Sequence, residues 1–360
     1  MKRLIFVLFC GFTLTAFSQR PIYDFVSFEK TTIVPEGINN SRSAVIFSFP
    51  VKTNGEFEEV ESYEKVISQV HKGLRTMGID AILYLNDINL LASQSARKSY
   101  VDIFNKRKIN NIIFLTKTKN GFELIIARYN ESPEMIAGGS KVFYMASKDL
   151  YSLLLNVGKE VRRADNQITN FLIPERPNYI QGMSIVEKTL LKNYPGILRR
   201  SELAVERFTP LDTTNISEDG IRKKVLSYNS DIAKKNQELE EIMKSYPYKY
   251  LMIDPMSDDE LKRNRYQFLL RSACAPAQVV KQMLDYEVLP SETGFVSIIP
   301  IMPDQTKVKT IPREALVCKF YIRQNISKNV HVGEWDADVS WQDALRNMIG
   351  NLIQEHNVGN

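Results

Sequence analysis

The chain has 360 residues, with 47 lysines and arginines against 42 aspartates and glutamates, a formal charge of +5. Hydrophobic residues make up 44% and charged residues 25%, which excludes wholesale disorder and leaves enough apolar surface for two domains of ordinary size. So small a positive excess does not argue for nucleic acid, and no segment after the first eighteen residues is apolar for long enough to span a bilayer.

Residues 1–18 read as a cleavable signal peptide. Met1-Lys2-Arg3 is a basic start, Leu4 to Ala16 an apolar run, and Ala16 and Ser18 are small residues at the −3 and −1 positions before Gln19. The run falls short of the roughly 20 residues that a membrane span requires. Cys10 is not expected to be lipidated, because it lies inside the run and follows the bulky Phe9. The short leader ending Phe17-Ser18 before Gln19 resembles those of exported Bacteroidota proteins. The expected location is therefore the periplasm or cell envelope, with envelope proteins as partners and no transmembrane segment in the mature chain.

Residues 19–42 form a lead-in with Pro35 and Gly37. Ala44 to Phe49 then reads as a buried strand closed by Pro50. An acidic stretch runs from Glu56 to Glu61. Tyr63, Val66, Ile67, Val70, Leu74 and Met77 recur at helical spacing, with Ser62 as N-cap and Gly78 as stop. Ala81 to Leu85 is a second strand. Ile88, Leu91, Ala92, Ala96 and Phe104 form a further helical stripe, ending at the basic Lys106-Arg107-Lys108. Asn111 to Thr116 is a third strand, and Asn120-Gly121 is a hairpin signal leading into Phe122 to Tyr129. Lys141 to Met145 and a helix carrying Leu150, Leu153, Leu154, Val157 and Val161 close the unit at about residue 164.

Residues 165–200, rich in proline and glycine, read as a connector to a second unit over 201–360. There Leu203 to Phe208 is a strand, and Ile221 to Met243 a long helical stripe. Tyr248 to Ile253 is a strand, and a pair of helices is expected from Asp258 to Tyr286 with a break at Pro276. Phe295 to Ile299 is a strand without an assigned neighbour. Ala315 to Gln324 and Val330 to Glu334 make a hairpin, and a last helix carries Trp341, Leu345, Met348 and Leu352. Helical crossovers force parallel pairing and tight turns antiparallel pairing, so the fold class is α/β with α+β character in two mixed-sheet units. Both units end in a hairpin and an amphipathic helix, the order expected of a distant tandem repeat.

From Ser43 to Arg163, the strand opening at Asn111, the hairpin through Asn120-Gly121 and the helix from Lys148 resemble the amino-terminal α/β domain of TolB and the curli secretion protein CsgG. The resemblance lies in layout. It implies an envelope assembly or interaction module rather than an enzyme. No propeller repeats follow, in contrast to TolB.

Catalytic motifs are scarce. Ala137-Gly138-Gly139-Ser140-Lys141 has the wrong order for a phosphate loop and precedes a strand, so it reads as a turn. His71, His331 and His356 lack partners at metal-ligand spacing, and no cofactor is expected. His71 reads as a solvated helix-flank residue and His356 as part of a fraying tail. Two carboxylate groups are the candidates for hydrolase or transferase chemistry: Asp254, Asp258 and Asp259 at a strand end, and Glu334, Asp336 and Asp338 after His331. Against that, Ser257 to Glu260 is a capping box, and Ser340 with Asp343 an N-cap. A ligand-binding or glycan-binding reading would use Trp335 and Trp341 as stacking surfaces. The mature chain keeps Cys274 and Cys318, which either form a disulfide in an oxidising compartment or are buried separately as small hydrophobes. The reading that best fits these features is a non-catalytic envelope protein acting through protein contacts or assembly.

Overall fold

The apolar runs near residues 44, 81 and 111 become three adjacent parallel strands of one sheet. The computed structural model describes residues 28–164, 168–172, 179–210, 219–302 and 305–357; the expected leader and its Ser18–Gln19 cleavage site lie outside them. The first unit runs β1 (Glu29–Thr31), β2 (Arg42–Ser48), a hairpin of β3 (Val51–Asn54) and β4 (Phe57–Val60), α1 (Glu64–Thr76), β5 (Asp80–Asn86), α2 (Asp87–Leu91), α3 (Gln94–Lys106), β6 (Ile109–Thr118), β7 (Gly121–Arg128), β8 (Lys141–Ser147) and α4 (Leu150–Arg163). Its sheet has the order β1-β8-β7-β6-β2-β5. On β2, Val45 and Phe47 face the core shared with α1 and α4, while Ala44 and Ile46 face the core shared with α3. Burial on both faces is why these strands show no polar alternation. Gly121 turns the β6–β7 hairpin at φ 135°, where a Cβ would collide with the Ser147 carbonyl.

The second unit runs β9 (Leu190–Leu191), β10 (Leu203–Glu206), α5 (Asp219–Met243), β11 (Tyr250–Ile253), α6 (Asp258–Arg263), β12 (Phe268–Pro276), α7 (Ala277–Met283), β13 (Gly294–Met302), β14 (Gln305–Pro312), β15 (Leu316–Gln324), β16 (Val330–His331) and α8 (Trp341–Glu355). Its sheet has the order β11-β10-β12-β15-β16-β9.

The two sheets share one topology. In each, a central strand (β2, β10) pairs in parallel with the two strands that follow its crossovers (β5 and β6, β11 and β12). The later of these (β6, β12) pairs antiparallel with the next strand (β7, β15), and that with the next (β8, β16). A short early strand then adds in parallel at the edge (β1, β9), and an amphipathic helix follows (α4, α8). The second unit differs by α7 and the β13–β14 hairpin, inserted between its third and fourth main strands.

Several expected elements are corrected. The helix pair over Asp258 to Tyr286 is instead α6, the central strand β12 and α7; Phe268-Leu269-Leu270 is a short apolar run that periodicity cannot assign, and its burial between β10 and β15 decides for strand. Phe295 to Ile299 finds its partner in β14, which the sequence reading did not anticipate. The acidic stretch is the β3–β4 hairpin, and the stripe from Ile88 to Phe104 breaks into α2 and α3 at the Ser93 N-cap. The cap of α1 is Tyr63, not Ser62. The described part of the connector is built into both units: Tyr179 bridges Tyr84 of β5, whereas Ile185 and Tyr194 join the second core.

The units also pack directly. Ile88, Ala92 and Ala96 belong to the core of the second sheet, and Cys274 N–H donates to the Ala92 carbonyl at 2.8 Å. Cys274 and Cys318 lie directly opposite in the β12–β15 ladder and form a disulfide. Their backbone N–H groups point away from each other, to Ala92 and Asp338, which makes this a non-hydrogen-bonded pair where side chains stand closest.

Candidate functional site

The acidic candidates do not converge. Asp254, at the end of β11, is exposed and faces Arg207 at 3.6 Å. Asp259 is exposed on the first turn of α6 beside Lys262. Asp258 alone is well held. It accepts from Arg323 Nη1 at 2.9 Å and Nη2 at 3.0 Å and from Lys328 at 3.0 Å, with Lys98 of α3 at 3.7 Å. The Arg323 bonds hold its carboxyl well below the usual range, burial opposing them. A carboxylate so tied is a clamp between β15, α6 and α3. The capping box of Ser257 and Glu260 is present as the sequence implies. Asp258→Asn is expected to cost about 1–3 kcal/mol at neutral pH, since nearly buried Arg323 loses its bidentate partner. Because the folded pKa lies below the unfolded one, this contribution is present above pH ~4 and lost as pH falls. Urea titrations of both proteins should therefore differ most at pH 7, with the gap narrowing progressively as pH is lowered below ~4.

The second group divides too. Glu334 is exposed, while Asp336 is fully buried and faces Lys319 of β15 at 2.6 Å. Asp338 pairs with Lys309 of β14 at 3.3 Å. His331 is buried with Nδ1 against the Asn193 carbonyl at 2.8 Å, and it takes no part with the acids. Among the described residues no group of three or more potential metal ligands converges. Trp335 is buried against Tyr286 and Phe295, and Trp341 against Phe208, so neither offers a stacking face. The other histidines also depart from expectation. His71 is buried with Nδ1 2.9 Å from Tyr84 Oη, and His356 is buried with Nδ1 2.9 Å from Tyr248 Oη.

In open α/β sheets the crevice at the carboxyl ends of the strands, beside the strand where chain order reverses, is the usual ligand site. Here that strand is β2, flanked by β5 and β6. The sequence reading missed the polar groups gathered there. Asp87 caps the end of β5, hydrogen-bonded to Ser48 at the end of β2, and burial pushes its carboxyl up to about 7. The Tyr63 and Tyr179 hydroxyls are hydrogen-bonded, and burial pushes the Tyr63 hydroxyl up to about 12. The chain itself returns to this end. Tyr179 bridges Tyr84, Ile180 N–H donates to the Tyr84 carbonyl, and Asn89 donates to the Gln181 carbonyl. Residues 179–181 are thereby fastened to β5 and to α2 at this end of the sheet.

The open apolar feature lies elsewhere, in a groove of about 500 Å³ between α1 and α4. Gly73 and Gly158 lie on its floor, where a Cβ would press on Leu154 and Met77; Leu150, Leu154, Tyr151, Leu155 and Ile168 line it, together with Lys72 and Arg162. Tyr151 is 76% exposed, Leu155 44% and Ile168 60%, a concentration of large apolar side chains that a solvated helix pair does not need. In the second unit the corresponding helix pair is filled from within. Phe208 packs on Trp341 of α8 at 5.2 Å and exchanges two hydrogen bonds with Asn236 of α5.

A larger cleft of about 910 Å³ opens at the opposite end of the first sheet, near Arg42, Arg75, Asp80, Lys106, Arg107 and Lys108. Arg75, Lys106 and Arg107 sit at the C-terminal ends of α1 and α3, where cations complement the helix dipoles. No family model matches the chain, and no curated protein matches it. No helix among the described residues is long and apolar enough to cross a membrane.

Proposed function

We propose that this is a non-catalytic protein of the cell envelope that acts by holding a partner, through the groove between α1 and α4. The observation that carries the reading is that groove, with its exposed Tyr151, Leu155 and Ile168. Lys72 and Arg162 select for an occupant of complementary chemistry: a helical or extended segment with apolar side chains flanked by carboxylates. Three further points support it. The strand-end carboxylates are scattered or committed to ion pairs, residues 179–181 are fastened at the carboxyl end of the first sheet, and the leader directs the chain to the envelope. The resemblance of residues 43–163 to TolB and CsgG domains points the same way.

A photo-crosslinking side chain in place of Tyr151, in the full exported chain, tests this reading. The expected result is an adduct with one envelope protein, abolished by Leu155→Glu at unchanged melting temperature, and none from the same group placed at Val296. Absence of an adduct, or adducts only between copies of this chain, would overturn the reading.

A further inference from the structure

We propose that Lys319 and Asp336 are joined in the mature protein by an intramolecular isopeptide bond, formed by the fold without any other reactant. This inference is independent of the partner-binding reading. Both side chains are wholly buried, and Lys319 Nζ lies 2.6 Å from Asp336 Oδ1. Burial disfavours the charged forms of both, lowering the lysine and raising the carboxyl, while their mutual attraction and hydrogen bond oppose it. Proton transfer from ammonium to carboxylate then leaves a neutral amine beside a neutral acid. That is the reactive combination, which water suppresses by ionising both groups.

The surrounding groups already suit the product. Asp336 Oδ2 accepts from Asn351 Nδ2 at 2.8 Å, so this oxygen is polarised and held as the future amide carbonyl. Oδ1 has no hydrogen-bond partner other than the lysine beside it, which leaves it free to depart. Lys319 Nζ donates to the Val332 carbonyl at 2.6 Å, a bond that the amide N–H keeps. The step balances. Nζ attacks Cγ, the Cγ–Oδ1 bond breaks, and one amine proton leaves with the Oδ1 hydroxyl as water. No oxidant, metal or nucleotide is consumed. Holding amine and acid in contact makes the reaction effectively unimolecular.

Intact-mass measurement of the full exported protein, reduced and denatured, tests the proposal. The expected mass is one water below that calculated for the reduced chain from Gln19 onward. A branched tryptic peptide should carry both residues, with no cleavage after Lys319. Lys319→Arg should restore the full mass. A wild-type protein of full mass, cleaved normally after Lys319, would overturn the proposal whether or not the variant folds.

Discussion

Reduction of the Cys274–Cys318 bond is expected to destabilise the second unit by about 4 kcal/mol. The bond closes a loop with a sequence separation of 44, and the unfolded-chain entropy removed by a link of that span corresponds to about 4 kcal/mol at 25 °C. For a cooperative unit of this size, that lowers the melting temperature by roughly 8–16 °C. The two half-cystines come from strands far apart in order, β12 and β15, with α7 and the β13–β14 hairpin between them. The link therefore restrains an inserted segment and the antiparallel half of the sheet together. Thermal melts with and without reductant give the shift, and a thiol assay on unreduced, denatured protein gives the oxidation state. Absence of titratable thiols fits a processed, exported chain, one thiol fits retention of Cys10, and three would end both the disulfide and the export reading. A shift below about 1 kcal/mol would show that the reduced chain is already restrained in that region.

What the sequence disclosed follows from the kind of signal each element carries. The first sheet was legible because β2, β5 and β6 are short apolar runs divided by amphipathic helices, and Asn120-Gly121 marks its hairpin. In the second, β12 was misread because Phe268-Leu269-Leu270 beside Ser272-Ala273-Cys274-Ala275 has neither β-branched residues nor alternation; position between two strands decides its state. The shared topology was visible only as element order, since pairing partners lie far apart along the chain. The capping box at Ser257 was readable locally, whereas the four-way clamp on Asp258 joins residues from Lys98 to Lys328 and leaves no pattern. The groove left a trace. Tyr151 and Leu155 are apolar yet fall outside the inward stripe of α4, and off-stripe apolar residues are what an uncovered helix face shows.

Wild-type protein is expected to lose up to about 4 kcal/mol of stability between pH 4 and pH 7 through Asp87 alone. Burial raises its carboxyl to about 7 in the folded chain, against 3.8 for the free side chain. Between those values the folded state holds a proton that the unfolded state has released, so stability falls as pH rises and levels off above pH 7. The sign is opposite to that for Asp258, whose contribution disappears only below pH ~4, outside this window. Another raised carboxyl, Glu206, tilts the wild-type profile in the same direction, so the difference from Asp87→Asn isolates the one group. The amide keeps the side chain's shape and has no proton to lose. The two proteins should match near pH 4, with the variant more stable by about 4 kcal/mol at pH 8 in urea unfolding. A variant weaker at neutral pH, with the deficit shrinking as pH falls below ~4, would mean that an ionised Asp87 holds the crevice, and that the joint at the end of β2 and β5 rests on charge. A carboxyl that is neutral when folded instead belongs to a buried joint, where Tyr179 and Gln181 are fastened to β5 and α2.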